Sequence, residues 1–197
     1  MIRLFDILIS CLALLFFSPL LLIVVLVVAL THGFPIFFTQ IRVGKNFKPF
    51  RIYKFRSMKL NAEDELGLTT GFSDTRITKT GYFLRKYKID EFPQLFNVLK
   101  GDMSLVGSRP QVQYYTKKFN NYYSQILIKK PGLFSPAATF YNNEEELLDK
   151  VDNPTHYYET VLVPIKCMMD RKLVENFTLK TYFGVLLGYV KKSVLKG

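Results

Sequence analysis

Cysteine and histidine are nearly missing from this sequence of 197 residues, which has two of each. Cys11 lies inside an apolar run and Cys167 far from it, which leaves no disulfide framework and fits a reducing cytoplasm. His32 and His156 are equally isolated. Neither is placed as a catalytic base, and no Cys/His metal spacing or serine nucleophile elbow occurs. Acidic residues are also scarce, 16 against 27 Lys and Arg, for a formal charge of +11. Residues 1 to 41 contain one base, Arg3, and one acid, Asp6, so the whole excess lies in the remaining chain. A basic body of this kind keeps anionic company: lipid headgroups, phosphorylated substrates or nucleic acid.

What the sequence has is a long apolar opening. From Ile7 to Leu30 it is almost wholly apolar, about long enough to cross a hydrocarbon core of roughly 30 Å. Ser18-Pro19 stands at its middle, where proline removes a backbone donor and crowds the preceding turn. Two topologies follow from the residues: a kinked single span, with Arg3 and Arg42 on opposite faces, or a hairpin that keeps both on the cytoplasmic face. A signal peptide does not fit, because no small-residue cleavage site precedes Thr31-His32-Gly33-Phe34-Pro35. The division is therefore a membrane segment, 1–38, and one membrane-associated body, 39–197.

In the body, Phe50-Arg51-Ile52-Tyr53-Lys54-Phe55-Arg56 alternates as a strand does, so that Lys54 and Arg56 point the same way. Asn61 to Leu66 is acidic and helix-prone, Thr69 to Asp74 is a polar loop, and Ile77 to Lys86 begins another helix. Next comes an adjacent carboxylate pair, Asp90-Glu91, in the basic run Leu84-Arg85-Lys86-Tyr87-Lys88-Ile89. Asp90 has the chemistry of a helix cap, Pro93 suits a first turn, and Phe92, Leu95, Phe96 and Leu99 form an apolar face that Gly101 ends. Backbone donors at such a helix start also attract phosphate. The loop Lys100 to Pro110 is punctuated by glycine but lacks the Gly-Lys-Ser/Thr ending of a P-loop.

Several motifs in register carry a resemblance: Gln40-Ile41-Arg42-Val43-Gly44, then Ile52 to Met58, then Arg76-Ile77-Thr78 with Gly81, then Arg85 to Gln94, then Asn97 to Gly107. Together they resemble the bacterial sugar transferase family of monotopic phosphoglycosyl transferases, in order across most of residues 1 to 115. The resemblance implies an enzyme that moves a phosphosugar from a nucleotide diphosphate sugar, usually a UDP-sugar, to polyprenol (undecaprenyl) phosphate, the first membrane step of glycoconjugate assembly. It implies Asp90 as nucleophile, forming a phosphoglycosyl-aspartate, with Glu91 assisting the second half. Covalent catalysis of this kind predicts ping-pong kinetics.

A carboxylate attacking a diphosphate meets like charge, so a divalent cation and fixed positive groups are expected to spread it. Mg2+ is the expected cofactor, with Asp90 its first ligand and Glu91 a weaker one. Lys54, Arg56, Arg76, Arg85 and Arg109 are the candidate phosphate or nucleotide contacts, Arg85 and Arg109 being carried by the motif. The resemblance further implies a reentrant membrane helix broken at Ser18 and Pro19, with both ends at the cytoplasmic face of the inner membrane. The expected fold is α+β, mostly helical with a small sheet, carrying that helix and interfacial amphipathic helices.

Departures begin after Arg109. Position 108 is serine where proline is commoner, and Lys130-Pro131-Gly132-Leu133-Phe134 runs into Ser135 to Phe140 and Glu144-Glu145-Glu146 instead of the usual Trp-Ala-Gln-Val-Asn stretch. This region is expected to help define the sugar or nucleotide. Leu179, Tyr182, Phe183, Leu186 and Val190 recur at helical spacing among Lys180, Lys191, Lys192 and Lys196, as in an interfacial helix or one packed on the core. The expected partners are polyprenol phosphate, a UDP-sugar and membrane lipid, with no nucleic acid. The alternatives are a membrane-anchored basic module that binds nucleic acid or anionic lipid, which 12 tyrosines and 18 phenylalanines permit, and an inactive scaffold that binds the sugar nucleotide without turnover.

Overall fold

The computed structural model describes residues 1–60, 71 and 73–194. The chain opens with α1 (Ile2–His32), the one described helix long and apolar enough to cross a membrane. Helical structure continues through Ser18-Pro19 rather than stopping there. The reason is local. Pro19 has no N–H to give Leu15, and the Ser18 hydroxyl donates to that Leu15 carbonyl instead, at 2.8 Å. Only Asp6, Ser10, Val24 and Val28 of α1 are buried, two pairs at i, i+4 spacing on the side that meets the body. Leucines such as Leu12, Leu15, Leu22, Leu26 and Leu30 face outward.

An antiparallel ribbon follows, β1 (Phe37–Val43) and β2 (Pro49–Phe55), with Arg42 opposite Phe50, Gln40 opposite Ile52 and Phe38 opposite Lys54. The acidic stretch 61–66 and much of the loop 69–74 lie outside the described residues. Helix α2 (Lys79–Lys86) starts at Thr78, whose hydroxyl accepts from Gly81 N–H at 2.9 Å. Gly81 is required by packing, since a Cβ there would lie 1.8 Å from the Ser57 carbonyl oxygen. After a 3-10 turn (Ile89–Glu91) comes α3 (Gln94–Lys100), ended by Gly101 at φ 93° as the sequence predicts.

Two expectations for this segment are corrected. Asp90 caps nothing, because the 3-10 turn holds it and α3 begins after Pro93. The buried face of α3 is Gln94, Leu95, Asn97 and Val98, while Phe96 is exposed. Asn97 accounts for the change. Its side-chain carbonyl accepts from Tyr53 N–H at 3.0 Å and its amide donates to the Arg51 carbonyl at 2.7 Å, so α3 is stitched to the edge of β2 by a polar residue inside an apolar stripe.

The second sheet is a parallel pair, β3 (Ser104–Val106) and β4 (Gly132–Phe134), joined through α4 (Gln113–Lys118) and α5 (Asn120–Ile126). Short helices α6 (Pro136–Phe140), α7 (Glu144–Leu148) and α8 (Pro154–Tyr157) lead through a π-helical turn into α9 (Val163–Glu175), and α10 (Leu179–Val194) closes the fold. The architecture is thus α+β, mostly helical with small sheets. Tyr115, Tyr123, Leu127, Leu148, Leu162 and Cys167 form one core among α4 to α9. A second gathers Ile52, Leu95, Val98, Met103, Leu105 and Tyr182, with Phe5 and Ile9 of α1 against it. A third joins Val24 and Val28 to Phe55 and Leu84. Helix α10 packs on the core, the second of the two uses read from its sequence: Tyr182 is fully buried and Phe183 and Leu186 pack there, while Leu187 and Val190 are exposed.

Both ends of α1 are tied to the body. The Arg3 guanidinium donates to the Leu99 carbonyl at 2.7 Å and also to that of Val98, at the C-terminus of α3, where positive charge is favoured. Asp6 Oδ1 accepts from Ser104 Oγ, Leu105 N–H and Tyr182 OH at 2.9–3.0 Å, joining α1, β3 and α10 through one buried carboxylate. At the other end His32 bonds the Arg56 carbonyl and the Thr78 hydroxyl. Midway, the Phe17 ring meets Phe92 edge-on at 5.1 Å.

Candidate active site

The site is built where three elements converge. Lys88 adopts the left-handed conformation, φ 56°, which reverses the chain after α2 and presents Asp90 and Glu91 from the 3-10 turn. Asn97 fixes α3 to β2, and β2 carries Lys54 to the same place. The Lys54 ammonium lies 3.0 Å from Glu91 Oε1 and 3.6 Å from Asp90 Oδ2. Arg109, in the loop after β3, forms a two-pronged pair with Glu91, Nη1 to Oε2 at 2.7 Å and Nη2 to Oε1.

Asp90 and Glu91 are both buried, at 4% and 9% exposure, and their environments drive them apart. Burial raises the Asp90 carboxyl above its ordinary value; Lys54 opposes this and the Glu91 charge adds to it. Burial also pushes Glu91 upward, but Arg109 and Lys54 outweigh it and hold that carboxyl well below the usual carboxylate range. Correspondingly Glu91 holds Arg109 protonated against the cost of its burial. The pair therefore comprises one firmly ionised carboxylate already engaged by two cations and one that is easily neutralised. Asp90 Oδ1 is buried with no hydrogen-bond partner among the described residues.

That orphaned oxygen bears on a metal. Among the described residues no cluster of three or more His, Cys, Asp and Glu could cage an ion. The orphaned Asp90 oxygen fits instead a hard cation such as magnesium, which needs only one or two carboxylates and would complete its shell with phosphate oxygens and water, whereas both Glu91 oxygens are engaged by Arg109 and Lys54.

The other candidate bases lie elsewhere. Arg56 follows the end of β2 and does not share the side of Lys54: its guanidinium donates to the carbonyls of His32 and of Gly33, the latter at 2.9 Å, at the C-terminus of α1. Arg76 grips Asp74, Nη2 to Oδ2 at 2.6 Å. Arg85 on α2 pairs with Glu145. The divergent acidic stretch thus reaches back to the carboxylate turn's own neighbours, and Glu144 pairs with Lys166 at 2.7 Å. Of the five bases named from sequence, Lys54 and Arg109 meet the carboxylates directly.

Sequence reading missed Asn97 as a positioning residue, along with buried polar groups that have no partner: both amide atoms of Gln94 and the Ser108 hydroxyl. A signal existed for two of them. Gln94 and Asn97 fall on the same helical stripe as Leu95 and Val98, and an amide on a buried stripe needs a partner.

Two buried carboxylates engaged by a lysine and an arginine stand on a body that holds both ends of a long apolar helix, a helix that fits a membrane anchor. The family model described as bacterial sugar transferase matches residues 1–193, and the chain belongs to that family. It is similar to a UDP-N-acetylgalactosamine-undecaprenyl-phosphate N-acetylgalactosaminephosphotransferase of Aeromonas hydrophila, 36% identical over 91% of this chain and 43% of that protein. It is 32% identical to a UDP-glucose:undecaprenyl-phosphate glucose-1-phosphate transferase of Klebsiella pneumoniae, over 97% of this chain and 40% of the relative. A putative undecaprenyl-phosphate N-acetylgalactosaminyl 1-phosphate transferase of Bacillus subtilis (strain 168) is 44% identical over 60% of this chain and 66% of that protein. The chain spans less than half the length of the first two relatives.

Proposed function

We propose that this chain is a phosphoglycosyl transferase that moves a phosphosugar from a UDP-sugar to undecaprenyl phosphate, initiating the assembly of a polysaccharide or related glycoconjugate. The observation that carries the reading is the buried Asp90-Glu91 pair with Lys54 and Arg109 on it. The names of the relatives supply the substrates, and since they differ between N-acetylgalactosamine and glucose they leave the sugar of this chain open.

In this reading an Asp90 carboxylate oxygen attacks the sugar-linked phosphorus. The bond from that phosphorus to the bridging oxygen breaks, and UMP departs with the electron pair. A phosphate oxygen of the acceptor then attacks the same phosphorus and expels the Asp90 carboxylate, giving undecaprenyl diphosphate sugar. Lys54 favours the ionised, nucleophilic form of Asp90, which burial alone disfavours. Arg109 is oriented by Glu91 and presents positive charge where phosphate oxygens gather. Magnesium, held by Asp90, would neutralise diphosphate charge. A basic module that only binds nucleic acid or lipid leaves unexplained why two carboxylates are buried together at the cost of their desolvation.

A monotopic placement on the cytoplasmic face of the inner membrane accompanies this reading. A 31-residue helix is about 46 Å long. Arg3 and His32, near its two ends, both hydrogen bond to the same body, which favours an arrangement keeping both ends on one side. The outward leucines of α1 supply the lipid-facing surface. An N-terminal tag accessible only from the periplasm would overturn that placement.

The activity is tested by incubating the purified full chain with undecaprenyl phosphate and a panel of UDP-sugars. UMP release that requires magnesium and is abolished by Asp90→Asn is expected. Turnover unchanged by Asp90→Asn, or by chelation of magnesium, contradicts the corresponding part of the reading.

A further inference from the structure

The motif Gln40 to Gly44 marks the family resemblance, yet the chemistry above gives it no task. Arg42, near the end of β1, stands out within it. Each base named from sequence already has partners: Lys54 and Arg109 on the carboxylate pair, Arg56 on carbonyls, Arg76 on Asp74 and Arg85 on Glu145. The Arg42 side chain forms no ion pair and no hydrogen bond to any described residue, and its Nε is buried with no partner.

The position is not remote. In the ribbon, Arg42 lies opposite Phe50 and Lys54 opposite Phe38. Directly opposed residues share a face and alternate residues repeat it, so Arg42 and Lys54 rise from the same face, roughly 13 Å apart along the ribbon. Arg42 lies within electrostatic reach of Glu91, Arg109, Tyr158 and Tyr123. Glu91 is in contact with Lys54 and Arg109, so it leaves Arg42 without a carboxylate of its own. Lys166 and Glu144, close to Tyr158, satisfy each other. Arg42 is half-buried, and burial, with the nearby Arg109 charge, pushes its guanidinium down to about 10 because the attraction of Glu91 only partly offsets the lost hydration.

We propose that Arg42 is a phosphate-binding residue of this site, supplying guanidinium donors to a phosphate group that lies on the ribbon face beside Arg109 and Glu91. Arginine matches phosphate oxygens with paired donors, and a ligand phosphate would give the half-buried guanidinium the hydrogen-bonded counter-charge that no described residue supplies. Three sources share this chemistry, the UDP-sugar diphosphate, the polyprenol phosphate and the phosphoryl group passed between them, and the test below distinguishes them. The inference rests on the transferase reading for the identity of these ligands, not for the presence of an anion site.

The test uses the full chain and its Arg42→Gln and Arg42→Lys variants, with UDP-N-acetylgalactosamine or UDP-glucose as donor and undecaprenyl phosphate as acceptor. Arg42→Gln is expected to lower kcat/KM at least tenfold, Arg42→Lys to recover part of it, and thermal stability to stay unchanged. Loss confined to the donor kcat/KM assigns the group to the UDP-sugar, loss confined to the acceptor kcat/KM assigns it to polyprenol phosphate, and loss in both assigns the transferred phosphoryl group. A separate arm measures the thermal shift produced by UDP or inorganic pyrophosphate, which should stabilise the parent and stabilise Arg42→Gln less. Wild-type protein that releases no UMP but shows this anion-dependent shift would sink the transferase reading and leave Arg42 as an anion ligand. Unchanged kinetics and an unchanged shift, or losses in both variants that follow lowered stability, would overturn the proposal.

Discussion

Replacing Asn97 by alanine probes how the fold holds its carboxylates against Lys54. The side chain makes two hydrogen bonds to the edge of β2, from Tyr53 N–H at 3.0 Å and to the Arg51 carbonyl at 2.7 Å, and it is fully buried. A lost neutral hydrogen bond costs about 1 kcal/mol net, and leaving the partner unsatisfied raises this to about 1–3 kcal/mol, so the two together cost about 2–6 kcal/mol. For a domain of this size each kcal/mol moves Tm by about 2–4 °C, which predicts a fall of roughly 4–24 °C. Because Lys54 directly follows Tyr53, UMP release should fall as well. Asn97→Asp is the control: it keeps the acceptor for Tyr53, removes the donor to Arg51 and buries a charge, so it should be no milder than alanine. Thermal unfolding in lipid nanodiscs, read beside UMP release, measures both effects. A Tm within 2 °C of the parent with full activity for Asn97→Ala would refute the claim that this amide positions the site.

Two further outcomes follow from the packing and the charges. Gly81→Ala would place a Cβ 1.8 Å from the Ser57 carbonyl, forcing α2 away from its seat, and should cost on the order of 3 kcal/mol in denaturant unfolding. Asp170 on α9 is pushed up to about 7 by burial, against an ordinary 3.8, despite the hydrogen bond from Ala137 N–H. Its folded form therefore binds a proton more tightly than the unfolded chain does, so the contribution is fully present below about pH 4 and is lost as pH rises through about 7. The loss is on the order of 4 kcal/mol. Asp170→Asn should flatten the decline of Tm between about pH 4 and pH 7, and an unaltered slope would show that another group causes it.

Much of the site was legible as residue types in order. Asp90 and Glu91 stand out as a carboxylate pair in basic surroundings, and Lys54 and Arg109 meet them in space although separated in sequence by 37 residues from Glu91 on one side and 18 on the other. What spacing cannot carry is the choice of partner. Arg85 goes to Glu145, 60 residues away, and Arg56 to carbonyls at the end of α1, pairings fixed by how helices dock rather than by local pattern. Asp90 read as a cap because its chemistry suits one, but the left-handed turn at Lys88 and the later start of α3 gave it a buried position instead. The apolar stripe of α3 was read from Phe92, Leu95, Phe96 and Leu99; Leu95 is buried as read and Phe92 packs on the core, whereas tertiary contact turned Asn97 inward and Phe96 outward. In α1 the proline was legible and its local remedy was not, because the Ser18 hydroxyl bond to Leu15 depends on a rotamer.

The central claim is that the Asp90 carboxylate becomes covalently phosphorylated. Quenching the full chain with a UDP-sugar labelled in its β-phosphate, in the absence of acceptor, and mapping the label by mass spectrometry tests it most directly. The account predicts a phosphosugar joined to Asp90 as an acyl phosphate, which disappears when undecaprenyl phosphate is added; turnover without any adduct at that residue would contradict it.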